Sequence, residues 1–252
     1  MKPRFRGRVA VVTGAAAGIG AATAVRLARE GAHVIVTDVD DARGADVVAD
    51  IVAAGGSGSF RHLNAASGAD WDALADHVRQ AWGRLDVLHS NAGRAIVVKP
   101  AHEFTEHEWQ AQLSVSLTAV MHGVRSSIGL LRDARGCVVL TSSVHALVGL
   151  PGHPAYAAAK GALCALGRQL AVEYGPEVRV NTVIPGPVLT AAWNGISDEA
   201  REASARATVA KRLGDPTEVA AAVAFLASAD ASFITGASLV VDGGWSVVRD
   251  SA

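Results

Sequence analysis

Short apolar runs alternate with longer stretches of helical periodicity from one end of the chain to the other. The runs Val9–Thr13, His33–Thr37, Ser59–His62, Val87–Ser90, Cys137–Thr141, Val180–Ile184 and Ser238–Val241 have the length and apolar content of buried strands. Between them, Ala21–Arg29, Trp71–Trp82, Glu106–Leu131, Tyr156–Tyr174 and Thr217–Ala227 carry apolar residues at helical spacing. Alternation of this kind pairs strands in parallel and covers both sheet faces with helices. Right-handed crossovers then give an α/β, doubly wound fold. Gly55–Gly58 reads as a turn between a helix and a strand. Nothing linker-like divides the 252 residues, so one domain over 1–252 is expected. The segment 185–208 opens with Pro-Gly-Pro and carries Trp193. It begins where ligands collect in such sheets, beyond the strand carboxyl ends, and reads as a lid or as a surface loop with one helix.

Charge narrows the partners. Lys plus Arg total 23 against 24 for Asp plus Glu, with no basic stripe, so nucleic acid and anionic membranes are excluded as partners. Lys2, Arg4, Arg6 and Arg8 before an apolar run imitate a signal peptide, but Thr13, Gly14, Gly18 and Gly20 interrupt that run. No stretch approaches the roughly 20 apolar residues that span a bilayer. Cys137 and Cys164 sit in apolar sequence and read as buried, reduced thiols. The reading is a soluble cytoplasmic protein. The 9 histidines lack zinc spacing, so no metal site is expected, and no Gly-x-Ser-x-Gly points to a hydrolase.

Candidate chemistry begins at Thr13-Gly14-Ala15-Ala16-Ala17-Gly18-Ile19-Gly20, between the first strand and the first helix. Glycines there permit a tight turn and bring backbone N–H groups to a pyrophosphate, helped by the partial positive charge of the helix start. With no Lys-Ser/Thr after the last glycine, a P-loop is disfavoured. Asp38 closes the second strand, where a carboxylate accepts from both ribose hydroxyls and repels a 2′-phosphate. With Asp40 and Asp41 beside it, and no basic residue in Ala15–Ala17, NAD is favoured over NADP. The competing reading makes Asp38 a helix cap.

Tyr156 and Lys160 stand four residues apart in a helical pattern, so they share a face. A neighbouring ammonium is expected to lower the phenol's pKa and to make it a base toward an alcohol while hydride leaves for a nicotinamide. Ser143 closes a predicted strand, and its hydroxyl can hydrogen-bond a carbonyl or alcohol oxygen. His145 and His153 flank this segment, and His145 is a candidate for holding a polar substrate group. Leu147, Val148, Leu150, Leu189 and Trp193 offer an apolar wall, which favours a hydrophobic or cyclic alcohol.

Thr13–Gly20, Ser90-Asn91-Ala92-Gly93, Ser143 with Tyr156-Ala157-Ala158-Ala159-Lys160, Asn181 with Pro185-Gly186, and Val241-Asp242-Gly243-Gly244 occur in the order of the short-chain dehydrogenase/reductase motifs. The chain resembles that family over nearly its whole length. The resemblance implies one Rossmann-like domain with a seven-stranded parallel sheet, an NAD cofactor, a small-molecule alcohol or ketone substrate and a homotetramer. It implies Tyr156 as acid/base, Lys160 on the nicotinamide ribose and Ser143 on the substrate. Further cofactor contacts are implied for Gly14, Ala17, Gly18, Ile19, Gly20, Asn91, Ala92, Gly93, Pro185, Gly186, Val188 and Thr190. Two positions depart from the family pattern. Asn64 stands where an Asp is common near the adenine. Ser116, seven residues after Trp109, stands where many members have a catalytic Asn. Ser116 therefore keeps open a second reading, an NAD(H)-binding protein with weak or no catalysis and a regulatory or structural role.

Overall fold

A computed structural model describes residues 3–248. Residues 1–2 and 249–252, which the single-domain assignment includes and which contain Lys2, lie outside the described residues. Seven parallel strands form one sheet in the order β3-β2-β1-β4-β5-β6-β7. They are β1 Val9–Thr13, β2 His33–Asp38, β3 Ser57–His62, β4 Val87–Ser90, β5 Cys137–Thr141, β6 Arg179–Pro185 and β7 Ser238–Val241. All residues of β1, β4 and β5 are buried, which is why their sequences read as unbroken apolar runs rather than alternations.

Among the described residues there are eight α-helices: α1 Gly18–Arg29, α2 Asp41–Ala53, α3 Gly68–Trp82, α4 Glu106–Leu113, α5 Ala119–Ala134, α6 Pro154–Tyr174, α7 Asp198–Arg206 and α8 Pro216–Ala227. One core packs Val47 and Ile51 of α2, Leu27 of α1 and Ala224 of α8 against Ala10, Val12 and Val34. The opposite core packs Trp71 and Leu74 of α3, Val124 and Leu131 of α5 and Leu163 of α6 against Val11, Leu88 and Val138. No helix among the described residues is long and apolar enough to cross a membrane.

Four local readings change. Ser57 and Gly58 belong to β3, leaving Gly55 and Gly56 as the turn; Gly58 pairs with Val34, and a β-carbon on it would lie 3.1 Å from the Val34 carbonyl. The α2 helix was absent from the periodic segments because its buried face is narrow: Gly44, Val47 and Ile51. The predicted helix Glu106–Leu131 is broken by a π turn at Ser114–Thr118 and extends to Ala134. Cys137 is buried as expected, whereas Cys164 is only partly so, lying on α6 with its thiol 3.5 Å from the Ser142 hydroxyl.

The strand order reverses between β1 and β4, whose following segments go to opposite faces and open a cleft at their carboxyl ends. Thr13 Oγ1 closes the gap, accepting from the backbone N–H groups of Asn91 (2.9 Å) and Ala92 (3.0 Å). Thr13→Val keeps the shape and leaves both donors without this acceptor. Urea unfolding should show a loss of about 2 kcal/mol or more at unchanged m-value.

Candidate active site

The glycine turn folds back against the end of β4. Gly14 and Gly18 hold φ of +62° and +56°. A β-carbon on Gly14 would lie 2.9 Å from Ala92 Cα, and one on Gly20 would lie 2.1 Å from the Gly14 carbonyl oxygen. Neither position admits a larger residue without moving backbone. Asn91 Nδ2 donates to the carbonyls of Thr13 and Gly14, at 3.0 and 3.2 Å. Ala17 precedes α1 with no side-chain cap, so the helix start keeps backbone N–H groups for an anion.

Asp38 stands at the mouth of this turn. Its carboxylate accepts from the backbone N–H of Ala16 at 3.0 Å and of Asp40 at 3.1 Å. The cap of α2 is Asp40, which accepts from the Arg43 backbone, so the capping alternative for Asp38 falls. Sequence reasoning missed Arg43, whose side chain pairs with Asp40 and feels the charge of Asp38. Asn64 lies after β3, exposed, with its side-chain oxygen accepting from Ala66 N–H.

At the end of β5, Ser143 is buried and adopts an extended backbone before a 3-10 turn at Val144–Ala146. Its hydroxyl lies 3.1 Å from His145 Nδ1. The His145 ring stands edge-on to the Tyr156 ring at 5.1 Å between centroids, and its centroid is 4.9 Å from that of the His153 ring. Burial holds His145 well down, to about 4, helped by the charge of His153, so it is neutral at physiological pH. Pro154 starts α6, which carries Tyr156 and Lys160 on one face with the Lys160 ammonium 5.6 Å from the centre of the phenol ring.

The electrostatics differ from the sequence expectation of a phenol lowered by its lysine. Burial raises the Tyr156 pKa, opposed in part by a hydrogen bond from Ser143. Burial also lowers Lys160 to about 8. Desolvation thus drives both groups toward their neutral forms.

Lys160 Nζ donates to the Thr141 carbonyl at 2.7 Å, and Ser116 is brought to the same space. A β-carbon on Gly93 would lie 3.1 Å from Ser116 Oγ and 3.3 Å from Lys160 Nζ. On the far side of the cleft, Pro185 and Gly186 end β6, and Val188 is bridged to Gly214. Thr190 Cγ2 would lie 3.2 Å from a β-carbon on Gly18, so the segment after β6 reaches the glycine turn. Ile19 packs on the cluster that includes Val188. Trp193 is half-buried, its indole N–H donating to the Val188 carbonyl at 2.8 Å, while Leu150 is partly exposed beyond Ser143.

A family model described as enoyl-(acyl carrier protein) reductase matches residues 14–246. Cyclopentanol dehydrogenase of Comamonas sp. (strain NCIMB 9872) is 38% identical over 96% of this chain and 98% of its own. The chain belongs to the short-chain dehydrogenase/reductase family. As a short-chain dehydrogenase/reductase it is also 40% identical to cis-4-hydroxycyclohexanecarboxylate dehydrogenase of Sinomonas cyclohexanicum, over 98% of this chain and all of that one. The crystal structure of levodione reductase superposes with a TM-score of 0.91 at 32% identity, covering 98% of this chain and 100% of the other. A short-chain dehydrogenase/reductase is an oxidoreductase, and this chain is one.

Two buried side chains escaped sequence reasoning. Gln112 donates from Nε2 to Ser116 Oγ at 2.8 Å; its only sequence signal was the four-residue spacing to Ser116. His89 in β4 bonds Thr141 Oγ1 at 2.9 Å and is held neutral by burial and by the Lys160 charge, down to about 3. Among the described residues no cluster of His, Cys, Asp or Glu is arranged to hold a metal.

Gly93 has φ +147° as well as this crowded surrounding. Gly93→Ala should lower stability by about 1–3 kcal/mol in thermal unfolding. Because the new methyl presses on Ser116 and Lys160, kcat should also fall by about tenfold or more.

Proposed function

We propose that this short-chain dehydrogenase/reductase interconverts a ring secondary alcohol and its ketone, with NAD(H) as the hydride partner. The observation that carries this is the convergence of Ser143, Tyr156 and Lys160 beside a glycine turn whose close approaches exclude side chains.

The residues fit a dinucleotide. The uncapped α1 start with Gly14, Ala17, Gly18 and Gly20 would take the pyrophosphate, and Asp38 would take the adenosine ribose. Asn64 would lie at the adenine. Ala92 and Gly93, with Lys160, would face the nicotinamide ribose, and Ile19, Pro185, Gly186, Val188 and Thr190 the nicotinamide end. Bound there, NAD+ supplies the hydride acceptor. Tyr156, as the phenolate that the Lys160 ammonium stabilises, would take the hydroxyl proton and become the phenol, while Ser143 would hold the substrate oxygen. Because burial raises Tyr156, alcohol oxidation gains as pH rises and supplies phenolate, whereas ketone reduction needs the protonated phenol and fades.

The substrate class rests on the walls and on the relatives. Leu147 and Leu189 are each 52% exposed, and with Leu150 and Trp193 they would supply the apolar wall of the substrate pocket. His145 would meet a polar substituent. Segment 185–208 would act as a lid, and 1–252 as one domain. The names of both curated relatives describe alcohols on five- or six-membered rings. A cytoplasmic homotetramer belongs to the same proposal, supported by exposed Leu239 and Val240 on the β7 edge strand. The reading as a cofactor-binding protein with weak or no catalysis is not favoured, since Ser116 is seated beside Lys160.

NADH formation should be seen with cyclopentanol or cyclohexanol and be weak with polyols. Tyr156→Phe should bind NADH normally and lose about 10²-fold or more in kcat. Silence across ring alcohols and ketones, or normal rates in that variant, would overturn the assignment. Asp38→Ala should reduce the ratio of kcat/KM for NAD+ over NADP+ by about tenfold or more, since it removes the carboxylate and leaves Arg43 near a 2′-phosphate.

A further inference from the structure

The π turn at Ser114–Thr118 holds two serines that behave differently. Ser114 donates to the carbonyl four residues back, Gln110, at 2.7 Å, as helix-interior serines commonly do. Ser116 does not. The residue four back is Gln112, whose side chain is 1% exposed, and its Nε2 donates to Ser116 Oγ instead. A hydroxyl offers one donor and two acceptor sites. With one acceptor site taken by Gln112 and no donor bond among the described residues, the Ser116 hydroxyl keeps its hydrogen and one lone pair for its remaining neighbours.

Those neighbours are Gly93 and Lys160. Ser116 Oγ and Lys160 Nζ face the same side of Gly93 Cα; among the described residues no direct hydrogen bond joins them, and a bridging water is the contact the arrangement allows. The Lys160 ammonium has three donors, and among the described residues one is used, on the Thr141 carbonyl. Gln112 is itself fully engaged. Nε2 also donates to the Arg94 carbonyl at 2.9 Å, and Oε1 accepts from the Ile96 N–H at 2.9 Å. One buried amide therefore ties the loop after Gly93 to the π turn and orients the hydroxyl beside the lysine.

We propose that Gln112 is a positioning residue: it aims the Ser116 hydroxyl at Lys160, so that Ser116 helps to solvate the buried ammonium that supports the Tyr156 phenolate. The proposal rests on the Tyr156–Lys160 assignment above. Other titratable groups around this pair are His89 on β4, Cys164 one turn further along α6, and His145 and His153 against the phenol. None of these changes in the variants that follow.

The chain has 2 tyrosines, so in a Tyr174→Phe background tyrosinate absorbance reports Tyr156 alone, with or without turnover. Ser116→Ala and Gln112→Leu should each raise the Tyr156 ionisation midpoint by about half a pH unit or more. The double variant should show no further rise, because both act through one hydroxyl. In alcohol oxidation, kcat near pH 8 should fall by about threefold or more and recover at higher pH, with KM for NAD+ within about twofold of the parent. An unchanged midpoint in Ser116→Ala overturns the proposal whatever Gln112→Leu does. Shifts that add in the double variant also overturn it. A parent protein inert toward every ring alcohol would sink the proposed function while this titration still reads the Ser116–Lys160 coupling.

Discussion

The hydrogen bonds between Thr13 and Asn91 join residues that are 78 positions apart in the chain. They close the carboxyl ends of β1 and β4, the two strands between which the sheet order reverses. In one direction from this tie runs the glycine turn, whose Gly14 carbonyl is also held by Asn91. In the other runs Gly93, packed against Ser116 and Lys160. The space that would receive the dinucleotide is therefore set by one side-chain hydroxyl and one amide. Both are buried or nearly so, where an unmade hydrogen bond costs more than a made one contributes.

Burial then decides the chemistry. Lys160 is 2% exposed, and desolvation lowers its pKa while raising that of Tyr156. A phenol held protonated beside an ammonium that burial weakens is a poor starting point for taking a proton from an alcohol. The pair needs compensating polar contacts, which Thr141, Ser143 and Ser116 are placed to provide. The same reasoning accounts for His89 and His145. Both imidazoles are kept uncharged by desolvation, so neither competes with Lys160 as the cation of the site.

Much of this was legible because the physics is local in sequence. Strands buried on both faces write themselves as continuous apolar runs, and β1, β4 and β5 were read at their observed limits. Tyr156 and Lys160 were legible because a helix repeats about every four residues. The π turn was not, since Ser114–Thr118 breaks no helical spacing and contains neither Gly nor Pro. Gln112 was invisible for a related reason: a glutamine within a helix ordinarily faces water, and only the tertiary fold shows this one enclosed by Arg94, Ile96 and Ser116. Arg43 was hidden by the same kind of long-range placement, because the relevance of its charge depends on how α2 leaves β2. The sign of the Tyr156 shift was misjudged because a sequence shows charges but not the desolvation that opposes them.

The segment after β6 links the two halves of the cleft. Its base is pinned where Gly214 accepts from Leu189 N–H at 2.8 Å and donates to the Pro187 carbonyl at 2.9 Å. Beyond that clamp, Thr190 lies against Gly18, and Trp193 is fastened back onto Val188. A side chain on Gly18 would press on Thr190, so the absence of one is what lets the segment after β6 lie directly against the glycine turn.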